Sequence, residues 1–145
     1  MPVRYVEILR MEKTAKMPFK KYEGDAGWDL FVSQDVVIPP GATVDVHVGL
    51  AIKMPPFMYA RITGRSSTMR THNLMVNEGI IDNGYIGELF VSVHNFNDTE
   101  FQVTQGMRLA QLLFGTILDI RWSEVPALQT SMGDRNTAGF GSTGK

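Results

Sequence analysis

Cysteine is absent from the 145 residues. That removes a disulfide framework, thiolate metal sites and thiol catalysis from consideration. No apolar run approaches the ~20 residues needed to span a bilayer, and the N-terminus shows no charged stretch followed by an apolar one, so no secretory leader is expected. An excess of either charge is also missing. Lys and Arg number 14 against 15 Asp and Glu, a net charge of −1, which argues against a general nucleic-acid binder, since that function rests on a basic surface. Long helical periodicity is lacking as well. The length suits one domain with a real core, and an intracellular, cytoplasmic protein is the default expectation. Histidine is sparse: His47, His72 and His94 show no metal-ligand spacing. Nothing in the sequence pairs them, and His47 and His94 fall in alternating patterns that suit hydrogen-bonded structural roles.

What the chain has in quantity is short β-pattern segments punctuated by Pro and Gly. Residues 4–9 read as a first strand, and 36–38 as a second, closed by Pro39-Pro40-Gly41. Residues 43–48 alternate strictly and put Val44, Val46 and Val48 on one face. Residues 50–54 and 57–62 flank a Pro55-Pro56 turn. The serines after Gly64 suit the N-cap of one short helix. Residues 74–76, 88–95, 99–103 and 108–114 continue the β pattern, with Gln105-Gly106 as a turn, and 117–122 form a last strand. Roughly ten short strands at this spacing predict an all-β sandwich, jelly roll or barrel.

The stretch Gly79-Ile80-Ile81-Asp82-Asn83-Gly84-Tyr85-Ile86-Gly87-Glu88 holds the strongest turn signal. Asn-Gly favours a type I′ hairpin, which would set Ile81-Asp82 against Tyr85-Ile86 and pin a carboxylate and an aromatic ring beside a backbone-rich loop. Taken alone, this is a surface hairpin with a polar corner. Beyond Pro126 the chain turns small, polar and glycine-rich, so that 1–125 read as the folded core and 126–145 as an arm unable to form one. The arm places Arg135, Phe140, Ser142, Thr143 and Lys145 among glycines. Gly139 to Lys145 fits most of a P-loop, yet the following Ser/Thr and the helix are missing.

Five segments stand out in order: Ala26-Gly27-Trp28-Asp29-Leu30; Gly64-Arg65-Ser66-Ser67; Gly79 to Gly87; Gly106-Met107-Arg108-Leu109-Ala110-Gln111-Leu112; and Arg135 to Gly144. Together they closely resemble the five motifs of the homotrimeric dUTP pyrophosphatases (dUTPases). The resemblance implies a jelly-roll-like distorted barrel. It implies a homotrimer whose three active sites each take segments from all three chains, the C-terminal arm closing over a neighbour's site. The implied reaction is hydrolysis of dUTP to dUMP and pyrophosphate with Mg2+, which limits uracil in DNA and supplies dUMP.

The same resemblance assigns roles. Asp82 matches the base that activates the water attacking the α-phosphorus. Arg65, Ser66, Ser67 and Gln111 match phosphate contacts. Asp29 matches the carboxylate that orients Mg2+-bound water. Tyr85 matches the aromatic that packs on deoxyribose and excludes a 2′-hydroxyl, while backbone groups of the hairpin, around Gly79 and Ile81, read uracil. From the arm, Phe140 would stack on the base, and Arg135, Gly141, Ser142 and Thr143 would close on the phosphates. Arg108 either contacts phosphate or supports the fold through buried hydrogen bonds.

The chain departs from the family pattern at several positions. Trp28 stands for a common Tyr, Ser67 for Gly, Asn83-Gly84 where a second acidic residue is frequent, Met107 for Asp, and Asn136 and Ala138 at positions often Gly. Val76 stands where some relatives carry an Asn that contacts uracil, and Asn77 lies on the opposite strand face. Two rival readings follow. A dCTP deaminase of the same fold would show Arg-Ser-Ser and a second Arg, as Arg65 to Arg70 do, but it needs a glutamate where this chain has Ser92. A non-catalytic trimeric β protein would have no need of Asp82, Gln111 and Phe140 together.

Overall fold

The computed structural model describes residues 2–130 and 139. Ten strands and one short helix follow in the order β1 (Glu7–Arg10), β2 (Trp28–Leu30), β3 (Val36–Ile38), β4 (Thr43–Lys53), β5 (Met58–Gly64), α1 (Ser66–His72), β6 (Leu74–Val76), β7 (Gly79–Ile81), β8 (Glu88–Asn95), β9 (Phe101–Val103) and β10 (Ala110–Thr116). They form two four-stranded antiparallel sheets, ordered β1-β4-β8-β6 and β2-β10-β5-β7, and a small β3-β9 pair. Among the described residues no helix is long and apolar enough to cross a membrane.

The alternation read from the sequence produces this arrangement. On β4, Val46 and Val48 are buried while Thr43 and Asp45 face out; on β8, Leu89, Val91, Val93 and Asn95 point inward. From the other sheet, Leu30, Ala60, Ile62, Ala110 and Leu112 complete one continuous apolar cluster. Burying each large aliphatic side chain contributes about 1.5–3 kcal/mol, so the sandwich needs no cross-link. The one fully buried amide, Asn95, is satisfied: its Nδ2 donates to the carbonyls of Ile38 and Thr99 at 2.9 and 3.0 Å.

Four local expectations change. The two strands expected at 43–48 and 50–54 are one, Thr43–Lys53, carried past Gly49 (φ +65°) by a register shift between His47 and Ala51. Residues 117–122 form no strand: Leu118, Ile120 and Trp122 are 69, 65 and 97% exposed, because their apolar row finds no covering surface among the described residues. The helix is not capped by serine. Arg65 takes the N-cap position with extended backbone, and no side chain caps it.

The fourth change concerns the Asn-Gly stretch. Gly84 has φ +94° but Asn83 does not have positive φ, so the turn is not type I′, which needs both. β7 pairs with β5, whereas β8 belongs to the other sheet. The segment between them is therefore a crossing loop rather than a hairpin.

Candidate active site

β10 lies between β2 and β5, and that order builds one half of the site. Gln111 sits opposite Asp29 on one side and opposite Thr63 on the other. Arg65 is the first residue beyond β5. Asp29 Oδ1 meets Arg65 Nε at 2.8 Å and its Oδ2 meets Arg108 Nη1 at 3.1 Å. Arg65 Nη1 also donates to the Arg108 carbonyl at 3.1 Å, and Gln111 Nε2 donates to the Gly64 carbonyl at 3.2 Å. Three segments distant in sequence thus converge on one carboxylate. Because the arginines are partly exposed, these pairs add little stability; what they fix is where two guanidinium forks point.

The groove over this cluster encloses about 570 Å³ and is lined by Lys20, Lys21, Arg65 and Arg108 against Asp25 and Asp29, with Ser66 and Gln111 in the same wall. Its balance is cationic, as a polyphosphate requires. Gly27 makes the close packing possible: a Cβ there would overlap the Gln111 side-chain oxygen. Trp28, the unusual residue of its segment, carries Lys20 Nζ 4.7 Å from its ring centroid, a cation–π contact that holds the lysine at the rim. Arg108 is 40% exposed, lines the groove and holds Asp29 through its guanidinium.

α1 is docked by a residue that sequence reasoning passed over. The Thr68 hydroxyl, buried, donates to the Leu109 carbonyl at 2.6 Å, and Arg65 N–H reaches the same oxygen at 3.2 Å. Ser66 and Ser67, relieved of capping, occupy the first turn, Ser66 exposed toward the groove and Ser67 half-buried.

The second half-site is separate. Asp82 follows β7, and Tyr85 N–H donates to its carbonyl at 3.2 Å, closing the turn. The Tyr85 hydroxyl donates to the Glu88 carbonyl at 2.9 Å, with the ring folded over Gly87, where a Cβ would come 2.5 Å from that hydroxyl. Ile80, Ile81, Asp82, Tyr85, Glu88 and Phe90 line a pocket of about 240 Å³. Ile81 pairs with Ala60 and Gly79 with Ile62. The position that a Cβ would occupy on Gly79 has nothing within 4 Å, so that backbone is open to a ligand.

The chain does not bring the two halves together. The pairing register continues Asp82 to the level of Tyr59, at the start of β5, whereas Arg65 lies six residues along, just past its end. At about 3.3 Å per residue the separation is about 20 Å. The two pockets share no lining residue. Arg135, Phe140, Gly141, Ser142 and Thr143 lie outside the described residues.

Two further clusters were not anticipated from the sequence. Asn83 Nδ2 donates to the carbonyls of Pro55 and Met58. His47 Nδ1 meets Glu88 Oε1 at 2.8 Å and Glu12 Oε1 at 3.9 Å, and the Glu12 oxygen also accepts from Gln34 Nε2 at 2.7 Å. His47 is therefore paired after all, by partners 35 and more positions away. Asn83 carried a signal, as a non-acidic residue beside the key Asp; the histidine cluster carried none.

Comparison with known proteins matches this geometry to a family. A family model for dUTPase covers residues 13–144. The deoxyuridine 5'-triphosphate nucleotidohydrolase of Trichodesmium erythraeum is 36% identical over 141 residues, 96% of this chain and 98% of that protein. That of fowlpox virus is 35% identical over 140 residues, covering 96% and 97%. Among solved structures, Staphylococcus bacteriophage 80alpha dUTPase with dUPNHPP superposes with a TM-score of 0.86 at 24% identity over 97% of this chain and 98% of that one. A mutant dUTPase of phage phi11 of S. aureus, described for its coordination of a structural Mg(II) ion, gives 0.80 at 22% identity over 87% and 99%. On the family model and the full-length relatives, this chain belongs to the dUTPase family.

Proposed function

We propose that the chain hydrolyses dUTP to dUMP and pyrophosphate in sites shared between copies of itself, three per homotrimer. The observation that carries this reading is the separation within one chain. The Asp82–Tyr85 pocket has the carboxylate and the aromatic but no cation among its lining residues, whereas the Arg65 groove gathers the cations, and its carboxylates are engaged, Asp29 by both arginines and Asp25 by the Tyr22 N–H. Each half supplies what the other lacks, and about 20 Å along β5 keeps them apart. Packing the groove of one copy against the loop of another unites them. The exposed apolar row Leu118, Ile120 and Trp122 supports the same assembly, since it asks for a neighbour's surface.

In the joined site, Asp82 accepts the proton of a water held in line with the α-phosphorus, so attack forms the new P–O bond as the bridging oxygen to the β-phosphorus leaves with pyrophosphate. Arg65, Ser66, Ser67 and Gln111 donate to the phosphate oxygens as charge moves toward the leaving group. Tyr85, braced by Glu88 and Gly87, stacks on the sugar and leaves no room for a 2′-hydroxyl. Backbone groups at Gly79 and Ile81 read the uracil edge. Residues 126–145 act as the arm: Phe140 stacks on the base, while Arg135, Gly141, Ser142 and Thr143 cover the phosphates and exclude water.

Asp29 decides how Mg2+ fits. Both its oxygens already receive a guanidinium N–H, so it is not an open inner ligand. Each carboxylate oxygen has a second lone pair, which suits a hydrogen bond from metal-bound water. Bound to the triphosphate, Mg2+ neutralises phosphate charge. A cysteine-free chain engaged in nucleotide metabolism suits a cytoplasmic setting.

Deamination is not favoured. Ser92, where that reaction needs a glutamate, has its hydroxyl receiving Asn77 Nδ2–H at 3.1 Å. The deciding experiment is pyrophosphate release from dUTP, dTTP, dCTP and UTP with and without Mg2+. Release from dUTP alone, dependent on Mg2+, is expected. Ammonia from dCTP would replace the reading with the deaminase, and no turnover of any nucleotide would favour a structural protein.

A further inference from the structure

Asp82, Asn83, Gly84, Tyr85 and Ile86 are all exposed, and β7, which leads into them, is only three residues long. A base on such a loop needs anchors, because a displacement of about 1 Å at a reacting group costs on the order of 100-fold in rate. Tyr85 has its own, through Glu88. The anchor nearest Asp82 is Asn83. Its Nδ2 donates to the Pro55 carbonyl at 2.8 Å and to the Met58 carbonyl at 2.9 Å, which uses both hydrogens of the amide. Two carbonyl acceptors also fix the amide's orientation, since its oxygen could not face them.

The turn that Asn83 grips is itself unusual. Phe57, within it, has φ +64°, a conformation that a bulky residue keeps only when its surroundings hold it there. The Phe57 carbonyl accepts Ile117 N–H at 2.9 Å. One hydrogen-bonded line therefore runs from the Asp82 loop, through the Pro55–Met58 turn, to the first residue beyond β10, where the chain sets out toward its C-terminal end.

We infer that Asn83 is a positioning residue for the reaction: its amide staples the Asp82 loop to the β4–β5 turn and so sets where the base stands. The inference rests on Asp82 being the base. Nearly isosteric Asn83→Asp removes both donors and sets a carboxylate against two carbonyl oxygens. In the full-length enzyme it should lower kcat on dUTP by about tenfold or more. Affinity for dUPNHPP should change by no more than about threefold, since Tyr85 and the groove keep their own supports. Amide hydrogen exchange over residues 82–87 should quicken while the β8 core stays protected.

Two further variants separate the alternatives. Phe57→Gly removes the unfavourable φ of the turn. If Phe57→Gly/Asn83→Asp regains full kcat, Asn83 serves the turn's stability and not the base, which overturns the inference. So does a kcat for Asn83→Asp within about twofold of the parent, or unchanged exchange over 82–87. Asp82→Asn, run alongside, tests the base itself: if it still turns over, the base reading falls, and the exchange measurement decides the staple on its own.

Discussion

Gly27, just before β2, lies so close to Gln111 of β10 that a Cβ on it would overlap the Gln111 carboxamide oxygen and force that side chain to move. The glycine lets the Gln111 amide lie against the strand, with its Nε2 donating to the Gly64 carbonyl. Gly27→Ala should therefore act through Gln111. It should lower kcat/KM for dUTP by about tenfold, Gln111→Ala should do likewise, and the double variant should be little worse than either, the non-additivity expected of a shared partner. Additive losses would mean that the glycine serves something else.

Asp82→Asn keeps the shape of the side chain and removes the base. Turnover should fall below about a hundredth of the parent, with dUPNHPP binding largely retained. Isothermal titration beside a steady-state assay separates the two effects. Turnover above that level would take Asp82 out of the role.

The sequence made much of this legible, and the reasons differ by residue. Alternation on β4 and β8 gave the sandwich, because burial on one face leaves a period of two in the chain. The cationic groove was readable because its residues sit in short contiguous runs around Asp29, Arg65 and Gln111. The hairpin was misread: Asn-Gly reports the preference of one turn, whereas the pairing of β7 with β5 is a long-range choice. The strand expected at 117–122 had the right pattern but no partner among the described residues. His47 has the hydrogen-bonded role its strand pattern suggested, but its carboxylate partners and the buried bond of Thr68 escaped notice because they lie thirty-five or more positions away, and such contacts leave no local signature.

Thr68 gives a prediction about stability alone. Replacing it with Val keeps the volume and deletes the buried hydroxyl that reaches Leu109. The loss should be about 1 kcal/mol, read as a fall of about two to four degrees in the thermal midpoint for a domain of this size. Thermal denaturation of the variant beside the parent checks it; an unchanged midpoint would show the docking of α1 to be independent of that bond.

Tyr85→Ala should narrow the preference for dUTP over UTP, because the proposed exclusion of the 2′-hydroxyl is steric. The ratio of kcat/KM for the two nucleotides is the measurement. A ratio unchanged from the parent would place sugar selection in the backbone of the Asp82 loop.

Ending the chain at Gly133 removes Phe140 and the glycine-flanked donors of the arm but no residue of β1 to β10. The shortened protein should keep its thermal midpoint and its assembly state, while activity falls by orders of magnitude as stacking and water exclusion are lost together. Complementation then tests whether sites are shared. The shortened chain keeps Asp82 and lacks the arm; a full-length Asp82→Asn chain keeps the arm and lacks the base. If the Asp82 loop and the arm come from different copies, denaturing and re-forming the two together creates some sites with both, and activity returns that neither parent shows alone. The recovered fraction should peak near equal mixing, as random assortment of copies requires. Mixed assemblies verified by mass spectrometry that stay inactive would put loop and arm on the same copy. Full activity in the shortened chain by itself would make the arm an inert tail.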